Sequence, residues 1–391
     1  MADKAYVNPR ILSWARESAR FTVEDAAKKV PVSPDRLTEW EQGKERPTIR
    51  QAEILAKAYR RPFALFFLPD IPRDFQPLTD FRRPDARPLG TASTFIIREL
   101  QQNQAWTREF FRDNGESELS FVGRFTINDS PDHVAQDVLR ELEINPGRYT
   151  QNAPIREWIS KAEAKGIFVS RTSFIHSRLL LNSEELQGFV IADKYAPFVF
   201  INSEDWDAPQ LFTFVHELAH IWISASGISG NIELAVKPIE QLHPVELFCN
   251  KVAAAALLPE NIMRRIPVST FNNYEDVYAT SKRLGVSTFA LLYRAYNLAM
   301  ISLARYKGLR DEADEAFRHY VEQENAKRAL QKATKKGGPD HYLLLVQKNG
   351  SLFTRLVLDA FRGGTIASTE ASNLLHTQTN NFTKLEAYLH S

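Results

Sequence analysis

His216 and His220 stand four residues apart, with Glu217 beside the first, in the run His216-Glu217-Leu218-Ala219-His220. On a helix, side chains at this spacing share one face, one turn apart, so both imidazoles can bind a single metal ion. A carboxylate next to them can polarise a water held by that ion, which is the chemistry of metal-assisted hydrolysis. The flanking Leu211, Phe212, Phe214, Val215, Leu218, Ala219, Ile221 and Trp222 are apolar on most sides, so the helix is expected to be buried. Two histidines and a glutamate inside such a helix need partners, because burying them unpaired is costly. A zinc-type cation, Zn2+ or in its place Mn2+, is the simplest one.

Two histidines alone hold zinc weakly, and a hydrolytic site needs a third ligand and an open position for water. Downstream, Glu233, Glu240, His243, Glu246 and Glu260 could supply it. Glu246 is the best placed, since it opens a second strongly apolar helix, Leu247-Phe248-Cys249-Asn250-Lys251-Val252-Ala253-Ala254, that must pack against the first. Asn250 follows one turn later on the same face, where it can hydrogen-bond a histidine ring nitrogen. Cys249 reads as a small core residue and His243, before Pro244, as a loop histidine.

The elements that must position these residues precede them. A helix over residues 155–165 ends at Gly166, and strands are expected over 167–170, 188–192 and 197–201, leading into the histidine helix. The last of these strands could offer an edge to an extended substrate, or pair fully within its own sheet. Later helices fall over 245–258, 277–284, 288–303 and 310–335, with a break at Gly337-Gly338-Pro339 and a final helical unit. The chain of 391 residues is long enough for two to four domains, and 43% hydrophobic with 25% charged residues describes an ordinary globular protein. Lys plus Arg number 49 against 48 Asp plus Glu, which argues against a generally basic coat for nucleic acid. The lone Cys249 excludes an intramolecular disulfide, no apolar run is long enough to span a bilayer, and a cytoplasmic protein is expected.

Residues 8–68 read as short helices. Thr22 and Asp25 resemble a capping box, Ser33 caps a helix opened by Pro34 that ends near Gly43, and Thr48 caps a fourth helix. Helix, tight turn, helix within a small bundle is the helix-turn-helix arrangement. Trp40 reads as a core anchor. Residues 69–92, with Asp80-Phe81-Arg82-Arg83, read as a linker, followed by helices over 93–114 and 131–142.

The stretches Gly188-Phe189-Val190, Ala196-Pro197-Phe198-Val199-Phe200-Ile201-Asn202 and Phe212-Thr213-Phe214-Val215, ahead of the histidine motif, resemble the ImmA/IrrE metallopeptidases. The run from Glu246 to Ala254 and on through Leu258-Pro259 is similar to that family's second signature. Ser287-Thr288-Phe289-Ala290-Leu291-Leu292-Tyr293-Arg294 resembles its following helix. The N-terminal bundle joined to Phe67-Leu68-Pro69 and Asp80-Phe81-Arg82 looks like the branch with a fused XRE-type domain. The resemblance implies a gluzincin-like zinc peptidase core with His216, His220 and Glu246 as ligands and Glu217 as general base. It also implies a repressor-type substrate, cut in stress or mobile-element control.

The N-terminal domain leaves two readings open. Over residues 1–70 there are 13 basic and 10 acidic residues, and the helix after the turn carries Asp35, Arg36, Thr38 and Glu39. Arg36, Thr38, Lys44, Arg46 and Arg50 could form a rim that contacts DNA. A domain that docks another helix-turn-helix protein, or one encoded alongside, is the alternative. The expected architecture is α+β: an all-α helix-turn-helix bundle over 1–72, a linker and helical segment over 73–150, a peptidase core with a small sheet over 151–305, and a helical module over 306–391. The activity expected is that of a zinc endopeptidase acting on a regulatory or neighbouring-gene protein. Its rival is a DNA-binding regulator or antitoxin whose metal is structural.

Overall fold

The computed structural model describes residues 3–72, 77–81, 88–149, 153–176, 179–204, 206–229, 243–334 and 340–389, the side chains of 324–334 excepted. In chain order the elements begin with α1 (Pro9–Ser18), α2 (Val23–Lys29), α3 (Pro34–Glu41), α4 (Ile49–Tyr59), β1 (Thr79–Asp80), α5 (Thr91–Asp113), α6 (Pro131–Glu141) and α7 (Pro154–Ala164). Then come β2 (Phe168–Thr172), β3 (Phe174–His176), β4 (Leu179–Leu180), β5 (Gly188–Ile191), β6 (Phe198–Asn202), α8 (Asp207–Trp222), β7 (Gly227–Ser229), α9 (Pro244–Leu257) and α10 (Glu260–Met263). The remainder is helical: α11 (Tyr274–Leu284), α12 (Thr288–Asn297), α13 (Leu303–Thr334), α14 (His341–Asn349), α15 (Ser351–Arg362), α16 (Ser368–Leu375) and α17 (Phe382–Ala387). Among the described residues no helix is long and apolar enough to cross a membrane.

The chain divides into two compact units. One contains α1 to α4, the first part of α5 and the β3–β4 hairpin. Its helices start where side-chain oxygens satisfy free backbone donors: Asn8, Thr22 and Ser33 cap α1, α2 and α3, and Thr48 with Gln51 forms a full capping box on α4. Ile11, Leu12, Ala15, Leu37, Trp40, Leu55 and Tyr59 fill its core, so Trp40 is the anchor its spacing predicts. Arg16 clamps α1 to α3 through two bonds to Glu41, at 2.7 and 2.9 Å.

The other unit is built on a five-stranded mixed sheet in the order β1-β7-β5-β6-β2. β6 pairs parallel with β2 and antiparallel with β5, β5 is antiparallel to β7, and β1 is parallel to β7. Along β6 the side chains alternate between two covered faces. Val199 and Ile201 join the core that includes α8 and α9, while Phe198 stacks on Phe168 and meets Phe353 of α15 edge-on. β6 therefore has both edges paired and cannot accept a substrate strand. Four strands have no counterpart in the sequence reading: the β3–β4 hairpin, and β1 and β7 of this sheet. β1 falls within the segment read as a linker, and β7 follows the histidine helix directly.

Helix boundaries deviate most around residues 298–302; α13 also begins at Leu303 rather than at 310, and α11 begins at Tyr274 rather than at 277. The helix expected over 288–303 stops at Asn297, because Ala299 adopts a left-handed backbone, and a new helix starts at Leu303 behind Ser302, whose Oγ accepts the N–H of Arg305.

Candidate metal centre

Every residue of α8 from Gln210 to Trp222 is buried. Its apolar flanks pack on β5, β6, α7 and α9, which fixes the rotation of the helix and points His216, Glu217 and His220 inward. Its last turn is pinned by Trp222, whose indole N–H donates to Asp137 of α6 at 2.9 Å and whose ring stacks on Phe121. α9 lies alongside and starts at Pro244, capped by His243, whose Nδ1 accepts the N–H of Val245. Its first turn carries Glu246 to the histidines.

Four side chains of these two helices meet. His216 Nε2 lies 3.1 Å from His220 Nε2 and 3.3 Å from Glu246 Oε2, and His220 Nε2 lies 3.1 Å from Glu246 Oε1. Asn250 Oδ1 lies 2.9 Å from His216 Nδ1, and Ser229 Oγ of β7 lies 3.4 Å from His216 Nε2. Ligand atoms held about 2.1 Å from a tetrahedral zinc-type ion are about 3.4 Å apart, so this donor set has the spacing and the N/N/O chemistry such an ion takes. His216, His220 and Glu246 are the only cluster of this kind among the described residues.

The electrostatics agree with a charged guest. Burial pushes the Glu217 carboxyl up to about 8, against the pull of His216 and of the nearby Ser229 hydroxyl, and neither of its oxygens reaches full hydrogen-bond geometry among the described residues. Glu246 is also penalised by burial, but His216 and His220 beside it outweigh this and hold it down at about 2. Burial likewise lowers His220, whereas for His216 the attraction of Glu246 overcomes burial and raises it. The arrangement is one anionic carboxylate aimed at two imidazole lone pairs, with a second, fully buried carboxylate, Glu217, beside them.

Glu217 owes its place to a glycine. A Cβ on Gly188 of β5 would lie 2.8 Å from Glu217 Oε1, 2.9 Å from Thr213 Cγ2 and 3.1 Å from the Phe200 carbonyl. On the other side, Phe81 stacks on the His220 ring, with centroids 5.5 Å apart and planes at 22°, and lies 4.9 Å from that of His243. Phe81, Ser229 and Gly188 escaped the sequence reading. Gly188 and Phe81 stood within quoted stretches without a role, and Ser229 carried no signal.

Of the other acids considered as ligands, Glu260 opens α10 and pairs with Arg264 instead, while Glu233 and Glu240 lie outside the described residues. Cys249 is buried in the core and burial raises its thiol well above the usual range.

The five residues expected to contact DNA are dispersed in role. Arg36 pairs with Glu45 at 3.7 Å, Thr38 donates to the Pro34 carbonyl of its own helix, and the Arg46 guanidinium lies 4.0 Å over the ring of Tyr6. Lys44 and Arg50 are exposed beside them.

Residues 162–296 match the family model of the IrrE N-terminal-like domain, Peptidase_M78, and residues 10–65 match that of a helix-turn-helix domain. No curated protein matches the chain.

Proposed function

Since the chain joins a helix-turn-helix domain to an IrrE N-terminal-like peptidase domain, we propose that it is a zinc-dependent endopeptidase that cuts a regulatory protein of the repressor type. The observation that carries this reading is the convergence of His216, His220 and Glu246 around a point beside the fully buried carboxylate of Glu217. In this reading His216 Nε2, His220 Nε2 and a Glu246 oxygen hold the cation. When bound, it supplies Lewis acidity, lowering the pKa of water and polarising a peptide carbonyl.

The residues of the chain do the rest. Glu217 takes the proton of the attacking water at a carboxylate oxygen and hands it to the departing amine nitrogen. Its burial makes it a stronger base than a solvated glutamate. Asn250 accepts the Nδ1 proton of His216 and so keeps Nε2 free as a donor atom. The apolar walls of α8 and α9 exclude bulk water, which strengthens each of these interactions.

The helix-turn-helix domain favours a second, compatible role, DNA binding, with Arg36, Thr38, Lys44, Arg46 and Arg50 as the contacting rim. We assign residues 1–72, 73–150, 151–305 and 306–391 to bundle, connecting segment, peptidase core and C-terminal module.

The test is metal content and proteolysis measured together, on wild type and Glu217→Gln, against the proteins encoded beside this gene. Stoichiometric zinc in both and cleavage by wild type alone are expected. Cleavage by Glu217→Gln at the wild-type rate would remove Glu217 from the chemistry. Bound metal with no cleavage, alongside specific DNA binding, would leave a regulator with a structural ion.

A further inference from the structure

The edge of the sheet beside the metal centre is already occupied by the chain itself. β7 follows α8 directly and brings Ser229 to His216, so its outer edge is the polypeptide edge that borders the metal centre. On that edge lies β1, a strand of two residues, with Thr79 opposite Gly227 and Asp80 opposite Ile228. Phe81 continues it, donating its N–H to the Ile228 carbonyl at 3.1 Å. Thr79 and Asp80 are exposed, whereas Phe81 is 8% exposed, so its ring is the buried side chain of the segment.

That ring sits in a seat of unusual make. It lies flat on His220, tilts against His243, and rests on the bare backbone of Gly227. A Cβ at position 227 would overlap the Phe81 ring and lie 2.9 Å from the Thr79 carbonyl. Gly227 is therefore kept free of a side chain in the place where the aromatic ring lies, and its backbone does not need the left-handed conformation that otherwise explains a glycine. The ring is set on two imidazoles, one of them a proposed metal ligand.

We propose that the outer edge of β7, with the aromatic seat formed by His220, His243 and Gly227, is the peptide-binding edge of this metal centre, and that Thr79, Asp80 and Phe81 fill it as an internal occupant. The proposal rests on the reading of His216, His220 and Glu246 as that centre. Main-chain pairing to a strand edge gives affinity without sequence demands, and a side-chain pocket beside it gives selectivity. The class of ligand that follows is an extended peptide segment with an aromatic residue in the place of the Phe81 ring. Such a segment must displace β1. The pairing is only two residues long, and with the Phe81 ring in its seat the protein at rest covers the His220 face of its own site.

The experiment uses the full chain, zinc-loaded and carrying Glu217→Gln so that no probe is consumed. The probe is a fluorescein-labelled, amidated pentapeptide of the sequence at 77–81, Pro-Leu-Thr-Asp-Phe, and binding is read by anisotropy. Adding Phe81→Ala to the protein is expected to tighten probe binding at least tenfold. Combining Phe81→Ala with Gly227→Ala is expected to abolish that gain, and a probe ending in Ala should bind no variant. Equal affinity with and without Phe81→Ala, or a gain that survives Gly227→Ala, would overturn the proposal. Should Phe81→Ala fail to fold, amide hydrogen exchange of residues 227–229 in Gly227→Ala alone decides: at least tenfold faster exchange is expected, and wild-type protection overturns it. Neither readout needs turnover, so a failure of the peptidase reading leaves both measurable.

Discussion

Asn250 Oδ1 and His216 Nδ1 approach to 2.9 Å across the contact between α9 and α8. The amide oxygen only accepts, so the imidazole proton stays on Nδ1 and the lone pair is left on Nε2, the nitrogen that faces Glu246. Asn250→Leu should weaken zinc binding by about 10–100-fold, whereas Asn250→Asp, which keeps an acceptor there, should hold most of the affinity. Competition with a chromophoric chelator measures both. Equal affinity for the Leu variant and wild type would show that the bond does not orient the ring.

Gly188→Ala tests the placement of Glu217. The added methyl group meets the Glu217 carboxylate, the Thr213 side chain and the Phe200 carbonyl, so the carboxylate must move. Overpacking of this kind costs about 1–3 kcal/mol of stability. We expect zinc content to be unchanged and cleavage to fall by on the order of 100-fold, the scale of a lost general base. A variant that cleaves normally would place the reactive position of Glu217 elsewhere.

Removing the metal should loosen the seam between α8 and α9, since its proposed ligands lie on both. At a free zinc concentration about a hundredfold above the dissociation constant, the ion stabilises the fold by about 3 kcal/mol. Calorimetry with and without EDTA should show a drop of several degrees in Tm for wild type and a much smaller one for Glu246→Ala. A chelator-insensitive wild type would argue against a bound ion.

Glu163 of α7 gives a pH signature outside the proposed metal-binding residues. It accepts the Leu352 N–H at 3.0 Å at the start of α15, yet burial pushes its carboxyl from 4.5 up to about 7. A folded value above the unfolded one means the native state binds the proton more tightly. The resulting stabilisation is complete below about pH 4.5 and is lost as pH rises through about 7. The shift corresponds to at most about 3 kcal/mol, less after screening because the side chain is only partly buried. Urea midpoints at pH 5 and pH 8 should therefore differ more for wild type than for Glu163→Gln; identical differences would rule out this group.

If the N-terminal rim contacts phosphates, Lys44→Ala and Arg50→Ala should each weaken DNA binding evenly across sequences and reduce the salt slope by about one. Arg36 already pairs with Glu45, so Arg36→Ala should cost less than either. Titrations at several salt concentrations separate these outcomes from a domain that binds only protein.

The helical parts were readable because their signals are local. Thr22, Ser33 and Thr48 cap where their types predict, and the spacing of His216, His220, Glu246 and Asn250 on two apolar helices was enough to bring them together. The strands at 79–80 and 227–229 were not readable. Each is two or three residues long, too short for alternation to register, and each exists because a partner strand lies beside it. Phe81 and Ser229 reach the site through that pairing, which no periodicity encodes. Gly188 and Gly227 matter for the side chains they make room for, a relation between distant positions.

Cys249 sits between Glu246 and Asn250 on α9, fully enclosed, with a thiol held in its protonated form. Peroxides and electrophiles react with thiolates that they can reach, and this sulfur is neither ionised nor reachable. If His216, His220 and Glu246 hold the ion as proposed, its donors are two imidazoles and a carboxylate, and the centre should keep its metal through an oxidative burst that would strip a thiolate-bound one.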